Sequence, residues 1–235
     1  MLSKNQIKFI QSLKQKKFRI QHGLFVIEGE KIVNEFLNSD WEIEKIYATK
    51  DWDGDAVQLT TKDLARISSL KTPNKVLALV KIPKSERIVS GDVVLALDGV
   101  KDPGNLGTII RLADWFGVQS ILCSEDCVEL YNPKVVQSTM GSISRVNVQY
   151  VDLQSTLQEV KEYQVCAAVM DGENVFDIST PEKTILLMGS ESHGVSQDLL
   201  ELVHQKITVP KSENSKAESL NVANACGIVL AQFTK

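Results

Sequence analysis

The sequence is short of the features that mark several protein classes. Its 235 residues contain only four cysteines and three histidines. Cys123, Cys127, Cys166 and Cys226 form no Cys-x-x-Cys pair, and no histidine stands where a zinc partner would, so a structural metal site is excluded by spacing. Reduced, buried thiols are expected instead. No apolar run approaches the roughly 20 residues of a membrane span, and the opening MLSKNQIKFIQSLKQKKFRIQHG has no secretory apolar core. A cytoplasmic protein without membrane or metal partners is the reading that follows. The G-x-G-x-x-G dinucleotide fingerprint is missing too, which disfavours a nicotinamide oxidoreductase. The formal net charge of −4 argues against a chain that coats nucleic acid by charge alone.

One further absence is local. No acidic residue precedes Glu28, whereas Lys4, Lys8, Lys14, Lys16, Lys17 and Arg19 do. The run is either a solvated helix face or a basic patch, in which Lys14, Lys16, Lys17 and Arg19 are candidate nucleic-acid contacts. Ile7, Ile10 and Leu13 recur at helical spacing behind Ser3, a cap-type residue, and predict an amphipathic first helix. LFVIEG, EKIYAT and KVLALVKI read as strands, with EKIVNEFLN and TKDLARISSL as helices, which makes a small α/β domain. The stretch IPKSERIVSGD then loses periodicity around Pro83 and Gly91, so domains of 1–84 and 93–235 are expected.

From Val93 the pattern alternates strand and helix, and the strands are short and continuously apolar. That is the signature of a parallel sheet covered on both faces. Three segments of this half could carry chemistry. In DGVKDPGNLGTIIRLADWFGV a buried strand passes through a turn into a helix, an arrangement that places free N–H groups beside a ligand. Arg111 is the one basic residue in that apolar helix, and it either makes a salt bridge or faces an anion in a cleft. Asn105 and Arg111 are six apart, about 120° round a helix, so Asn105 is expected on the turn before the helix if both reach one site. In ILLMGSESHGVS, Gly189 and Gly194 bound a turn that can wrap a flat ligand or simply punctuate the chain. Glu191 within it is a helix-start charge or a polar anchor. In ITVPKSENSKAESLNVANACGIVLAQF, Ser219 is placed as a helix cap, and Asn221 and Asn224 are the polar exceptions near the helix start.

Together these segments resemble the SpoU/TrmH family of RNA ribose methyltransferases in the SPOUT superfamily. Asn105, Gly107, Arg111, Ala113 and Phe116-Gly117 are similar to its first motif, Gly189, Glu191 and Gly194 to its second, and Pro210 with Ser219-Leu220-Asn221-Val222 to its third. SLKQKKFRIQHGLFVIEGEKIV and TPNKVLALV resemble the substrate-binding domain of members that modify ribosomal RNA. The resemblance implies an N-terminal α/β RNA-binding domain and a SPOUT-type parallel-sheet domain with a C-terminal trefoil knot. It implies S-adenosyl-L-methionine as cofactor, a homodimer through the C-terminal domain, and transfer of a methyl group to a ribose 2′-hydroxyl of RNA, ribosomal RNA being favoured. Gly189, Ser190, Gly194, Val209 and Leu220 are the implied cofactor contacts, and Arg111, Asn105, Glu191, Ser219 and Asn221 the implied catalytic group. The stretch PKSENSKAES is longer than the family's compact version, and Lys211 or Lys216 in it is a candidate RNA contact. A protein of this fold that grips RNA without methyl transfer, or a base-methylating SPOUT enzyme, are the alternatives.

Overall fold

In the computed structural model, which describes residues 2–83 and 89–235, helix α1 (Lys4–Ser12) starts at a complete capping box. The Ser3 hydroxyl accepts from the Gln6 N–H at 3.2 Å, and the Gln6 side chain accepts from the Ser3 N–H at 2.9 Å. The helix stops where Leu13 turns into the core, and a separate helix, α2 (Lys16–His22), ends on Gly23 in the left-handed region. The basic run is therefore divided between two short helices. β1 (Leu24–Glu28), α3 (Glu30–Leu37), β2 (Ile43–Ala48), β3 (Val57–Gln58), α4 (Thr61–Ile67) and β4 (Val76–Lys81) follow. Thr60 caps α4 through its hydroxyl, which accepts from the Asp63 N–H at 3.1 Å. The sheet runs β1-β4-β2-β3; β4 is antiparallel to both neighbours, and the two-residue β3, invisible in the sequence pattern, is parallel to β2.

The second half continues with β5 (Val93–Leu97), α5 (Pro103–Trp115), β6 (Ser120–Cys123), α6 (Pro133–Thr139), β7 (Asn147–Tyr150), α7 (Leu153–Glu159), β8 (Gln164–Asn174), β9 (Thr184–Met188), α8 (Gln197–Leu200), β10 (Gln205–Thr208) and α9 (Val222–Phe233). Six strands form one sheet in the order β10-β8-β9-β5-β6-β7, parallel at every pairing. β9 is buried throughout, which is why its residues are all apolar except Thr184, whose hydroxyl bonds the Pro181 carbonyl. All four cysteines are free and buried, as expected. Burial pushes the Cys166 thiol up to about 11 and the Cys226 thiol up to about 12, which keeps both protonated at neutral pH.

The compact units are Met1–Ser85 with Glu129–Ser144, and Glu86–Val128 with Arg145–Lys235. They differ from the extents 1–84 and 93–235 read from the sequence, because the segment holding α6 packs with the N-terminal part. The physical ties are specific. Arg19, 3% exposed, pairs its guanidinium with Glu129; Phe25 and Tyr131 stack with ring centroids 4.7 Å apart; and Trp41 Nε1 donates to the Ser144 carbonyl at 3.2 Å. Residues 84–88, within the expected linker, lie outside the described residues.

Arg19 was expected at an RNA surface. The structure places it elsewhere: Arg19 is buried, its Nη1 donates to the Leu13 carbonyl at 2.9 Å and its guanidinium pairs with Glu129. Substituting Glu129 by Ala leaves a buried, uncompensated guanidinium and should lower the unfolding free energy by about 3 kcal/mol. Urea midpoints of the two proteins measure this, and an unchanged midpoint would show that the pair does not hold the segment.

Candidate active site

Three loops meet beyond the carboxyl ends of β5, β9 and β10, the end of a parallel sheet where ligands bind. After β9 the chain folds back so closely that Ser190 and Gly194 exchange both backbone hydrogen bonds, at 3.0 and 2.9 Å. A Cβ on Gly189 would lie 2.0 Å from the Gly194 carbonyl carbon, and Gly194 has φ +67°. Only glycine fits the first position, and glycine is favoured at the second. Behind this turn the Asp98 carboxylate, at the end of β5, accepts from the Ser196 N–H at 2.7 Å and fixes one loop to another.

The side chains at the convergence form a polarised chain. Asn221 is the N-cap of α9, and its Oδ1 accepts from the Ala223 and Asn224 N–H groups at 3.0 and 3.3 Å. With its oxygen so engaged, the Asn221 amide turns its nitrogen outward and donates to Asn105 Oδ1 at 2.9 Å. Asn105 must then present its own nitrogen, which donates to Glu191 Oε1. Two helix N–H groups thus set the orientation of two amides, with the Glu191 carboxyl at the far end. The cap expected at Ser219 is Asn221 instead. Ser219 is exposed beside the cavity, and among the described residues no hydrogen bond holds its hydroxyl.

Asn105 was expected on the turn before α5. It occupies the third position of the helix, where Asp102, the cap, accepts from its N–H at 2.9 Å. The consequence for Arg111 is geometric. It lies about 120° round the helix from Asn105, is exposed, lines no part of the cavity, and makes no ion pair or hydrogen bond among the described residues. The structure therefore brings Asn105, Glu191 and Asn221 together and leaves Arg111 outside.

The cavity beside this chain has a volume of about 570 Å³, within the range of small-molecule sites. Gly189, Ser190, Glu191, Gly194, Val209 and Leu220 line it, and Ser219 completes the rim. Lys211 lines it as well, whereas Lys216 does not. Lys16 and Lys17 are exposed on α2, and Lys14 donates to the Ser68 carbonyl at 3.0 Å.

Comparison with known proteins separates the two halves. Residues 92–231 match the SpoU rRNA Methylase family. The chain belongs to that family. Residues 4–78 match the MRM3-like substrate binding domain. The chain is 31% identical over 240 residues to the 23S rRNA (guanosine(2553)-2'-O)-methyltransferase RlmP of Bacillus subtilis, covering 97% of this chain and 96% of that protein. A TrmH-family protein from Porphyromonas gingivalis is similar in structure, with a TM-score of 0.90, 35% identity and coverage of 99% and 98%. An AdoMet-bound rRNA methyltransferase from Sinorhizobium meliloti is similar with a TM-score of 0.88, 27% identity and coverage of 99% and 96%.

For a SpoU-family chain the donor set suits S-adenosyl-L-methionine. Met188, Val209, Leu220 and Ala225 offer apolar walls for an adenine ring and a thioether chain, while the backbone of the Gly189–Gly194 turn offers polar atoms at close range. The sequence reading missed Val169, Met170, Met188, His193 and Thr208, all of which line the cavity. Val169, Met170 and Met188 could have been found from the rule for carboxyl ends of parallel strands; His193 carries no such signal. Its Nδ1 lies 2.7 Å from the Ser192 hydroxyl.

Changing Asn105 to Asp places a second carboxylate against Glu191 and breaks the amide polarity. Methyl transfer at neutral pH should fall by about 10²-fold, and part of it should return as pH is lowered, because the paired carboxylates share a proton with a raised pKa. Initial rates against pH are the measurement, and a profile parallel to wild type would refute the polarity.

Proposed function

We propose that this protein transfers a methyl group from S-adenosyl-L-methionine to a ribose 2′-hydroxyl of ribosomal RNA. The observation that carries the reading is the chain Asn221–Asn105–Glu191 beside a cavity whose volume and lining suit that cofactor. S-adenosyl-L-methionine would supply a sulfonium-activated methyl group that an in-line ribose oxygen displaces, the thioether leaving as the S–CH3 bond breaks and the hydroxyl proton passing to water. The residues of the chain position, and their main contribution is orientation. Glu191 and Ser219 border the cavity and hold its polar side; Asn105 and Asn221 keep Glu191 in one place. A guanidinium has a pKa above ~12 and is a poor base. Arg111 accordingly grips a substrate phosphate and stabilises negative charge as it grows on the ribose oxygen.

Arg111 must be brought to the cavity for that role, and we infer that a second copy brings it. The exposed side of α5 carries Thr108, Arg111 and Trp115, and Trp115 is 84% exposed, an aromatic of the type found at interface centres. The working form is then a homodimer joined through the C-terminal domain. We also read residues 1–84 as the RNA-binding part and 93–235 as the methyltransferase part, and the chain end as threaded into a trefoil knot, in line with family membership. Among the described residues no helix is long and apolar enough to cross a membrane. A cytoplasmic location accords with four free, buried thiols.

Incubated with methyl-labelled S-adenosyl-L-methionine and ribosomal RNA, the protein should deposit label on ribose. Arg111→Ala should lose about 10²-fold or more in turnover with cofactor affinity unchanged. Label on a base, or a variant within a few-fold of wild type, would overturn the assignment. Trp115→Glu should sediment as a monomer that still binds cofactor and transfers no methyl groups; an active monomer would remove the partner's role.

A further inference from the structure

The N-terminal face holds aromatic rings as well as charge. Phe9 of α1 and His22 of α2 meet edge to face at 4.9 Å, and the rings of Phe18 and His22 are nearly parallel, 13° apart with centroids at 6.5 Å. Lys17 Nζ stands 5.9 Å from the centroid of the Phe18 ring. Phe9 is half-buried and rests on the core that includes Ile7, Ile10 and Leu13, so it acts as a footing. Phe18 is half-buried and His22 is exposed. Lys4, Lys8, Lys16 and Lys17 are exposed on the same two helices, which carry no acidic residue at all.

A solvated helix face needs lysines and no rings. A hydrophobic contact for another protein needs rings, yet four lysines unrelieved by any carboxylate on the two helices would repel most basic surfaces and favour a polyanion. Rings set among cations suit an unpaired nucleotide: its phosphates meet the lysines and its base lies on an aromatic face, with Lys17 close to the same ring. Paired bases are already stacked on one another and offer the protein only their edges. We propose that Phe18 and His22 form a stacking platform for an unpaired RNA base, so that this half of the chain selects a looped or single-stranded element of the substrate. The proposal rests on the reading of the protein as an RNA methyltransferase.

The test uses the full chain and a short unstructured RNA with one central 2-aminopurine, whose fluorescence falls on stacking. Wild type should quench the probe. Phe18→Leu combined with His22→Asn should bind it about tenfold more weakly and leave it bright, while binding to a blunt RNA duplex is unchanged. Phe18→Tyr should behave as wild type, and an unaltered circular dichroism spectrum and Tm of the double variant exclude misfolding. Quenching that survives the double substitution, or an equal loss on duplex, overturns the platform. Wild type that binds S-adenosyl-L-methionine but no single-stranded RNA also overturns it and leaves the cofactor site standing. A platform that quenches as expected in a protein that methylates no RNA overturns the enzymatic reading alone.

Discussion

Two backbone N–H groups at the start of α9 set the orientation of the Asn221–Asn105–Glu191 chain in the site. Because they occupy Asn221 Oδ1, the neighbouring amides can point only one way, and the chain of donors ends on Glu191. The partners are 116 and 86 residues apart in sequence, so the arrangement exists only once the sheet has formed. The ordering cost is met by the fold before any ligand arrives, which is what preorganisation means for a site whose work is alignment. The glycine turn serves the same end from the other side. With Ser190 and Gly194 bonded to each other, Glu191 is carried on a closed loop.

Much of the architecture was legible because it depends on local rules. Ser3 caps the helix it precedes, the apolar strands from Val93 form a parallel sheet, and Gly189 of the second motif sits where a Cβ would collide. The errors arise where a distant partner decides. Ser219 and Asn221 are both good caps two residues apart, and nothing local ranks them; the amide of Asn105 does. Arg19 resembles its basic neighbours in the sequence, and only Glu129 distinguishes it. Arg111 was the residue most strongly marked by its apolar setting, yet a single chain gives it no site.

The N-terminal unit shows a comparable economy. Glu28 is 4% exposed and accepts from the Ser68 hydroxyl and from the Ser69 and Asn74 N–H groups, so a buried carboxylate shapes the turn between α4 and β4. Lys14 reaches the same turn at the Ser68 carbonyl, and Gln11 reaches the Arg66 carbonyl at 2.7 Å. The first helix is thereby fastened to the far end of the unit by side chains that the sequence shows only as polar. That fastening gives the rings and exposed lysines of α1 and α2 a firm base.

The pairing of Arg19 with Glu129, 110 residues further on, also bears on how the protein is made. As the chain leaves the ribosome, the first sheet can assemble early, but the guanidinium inside it stays without its counterion until β5, α5 and β6 have been synthesised. The N-terminal unit is consequently finished late, and a fragment cut at the apparent linker would carry a naked charge beside an uncovered Phe25 ring. Dividing this protein for expression at its most obvious seam would separate a fold from its own last piece.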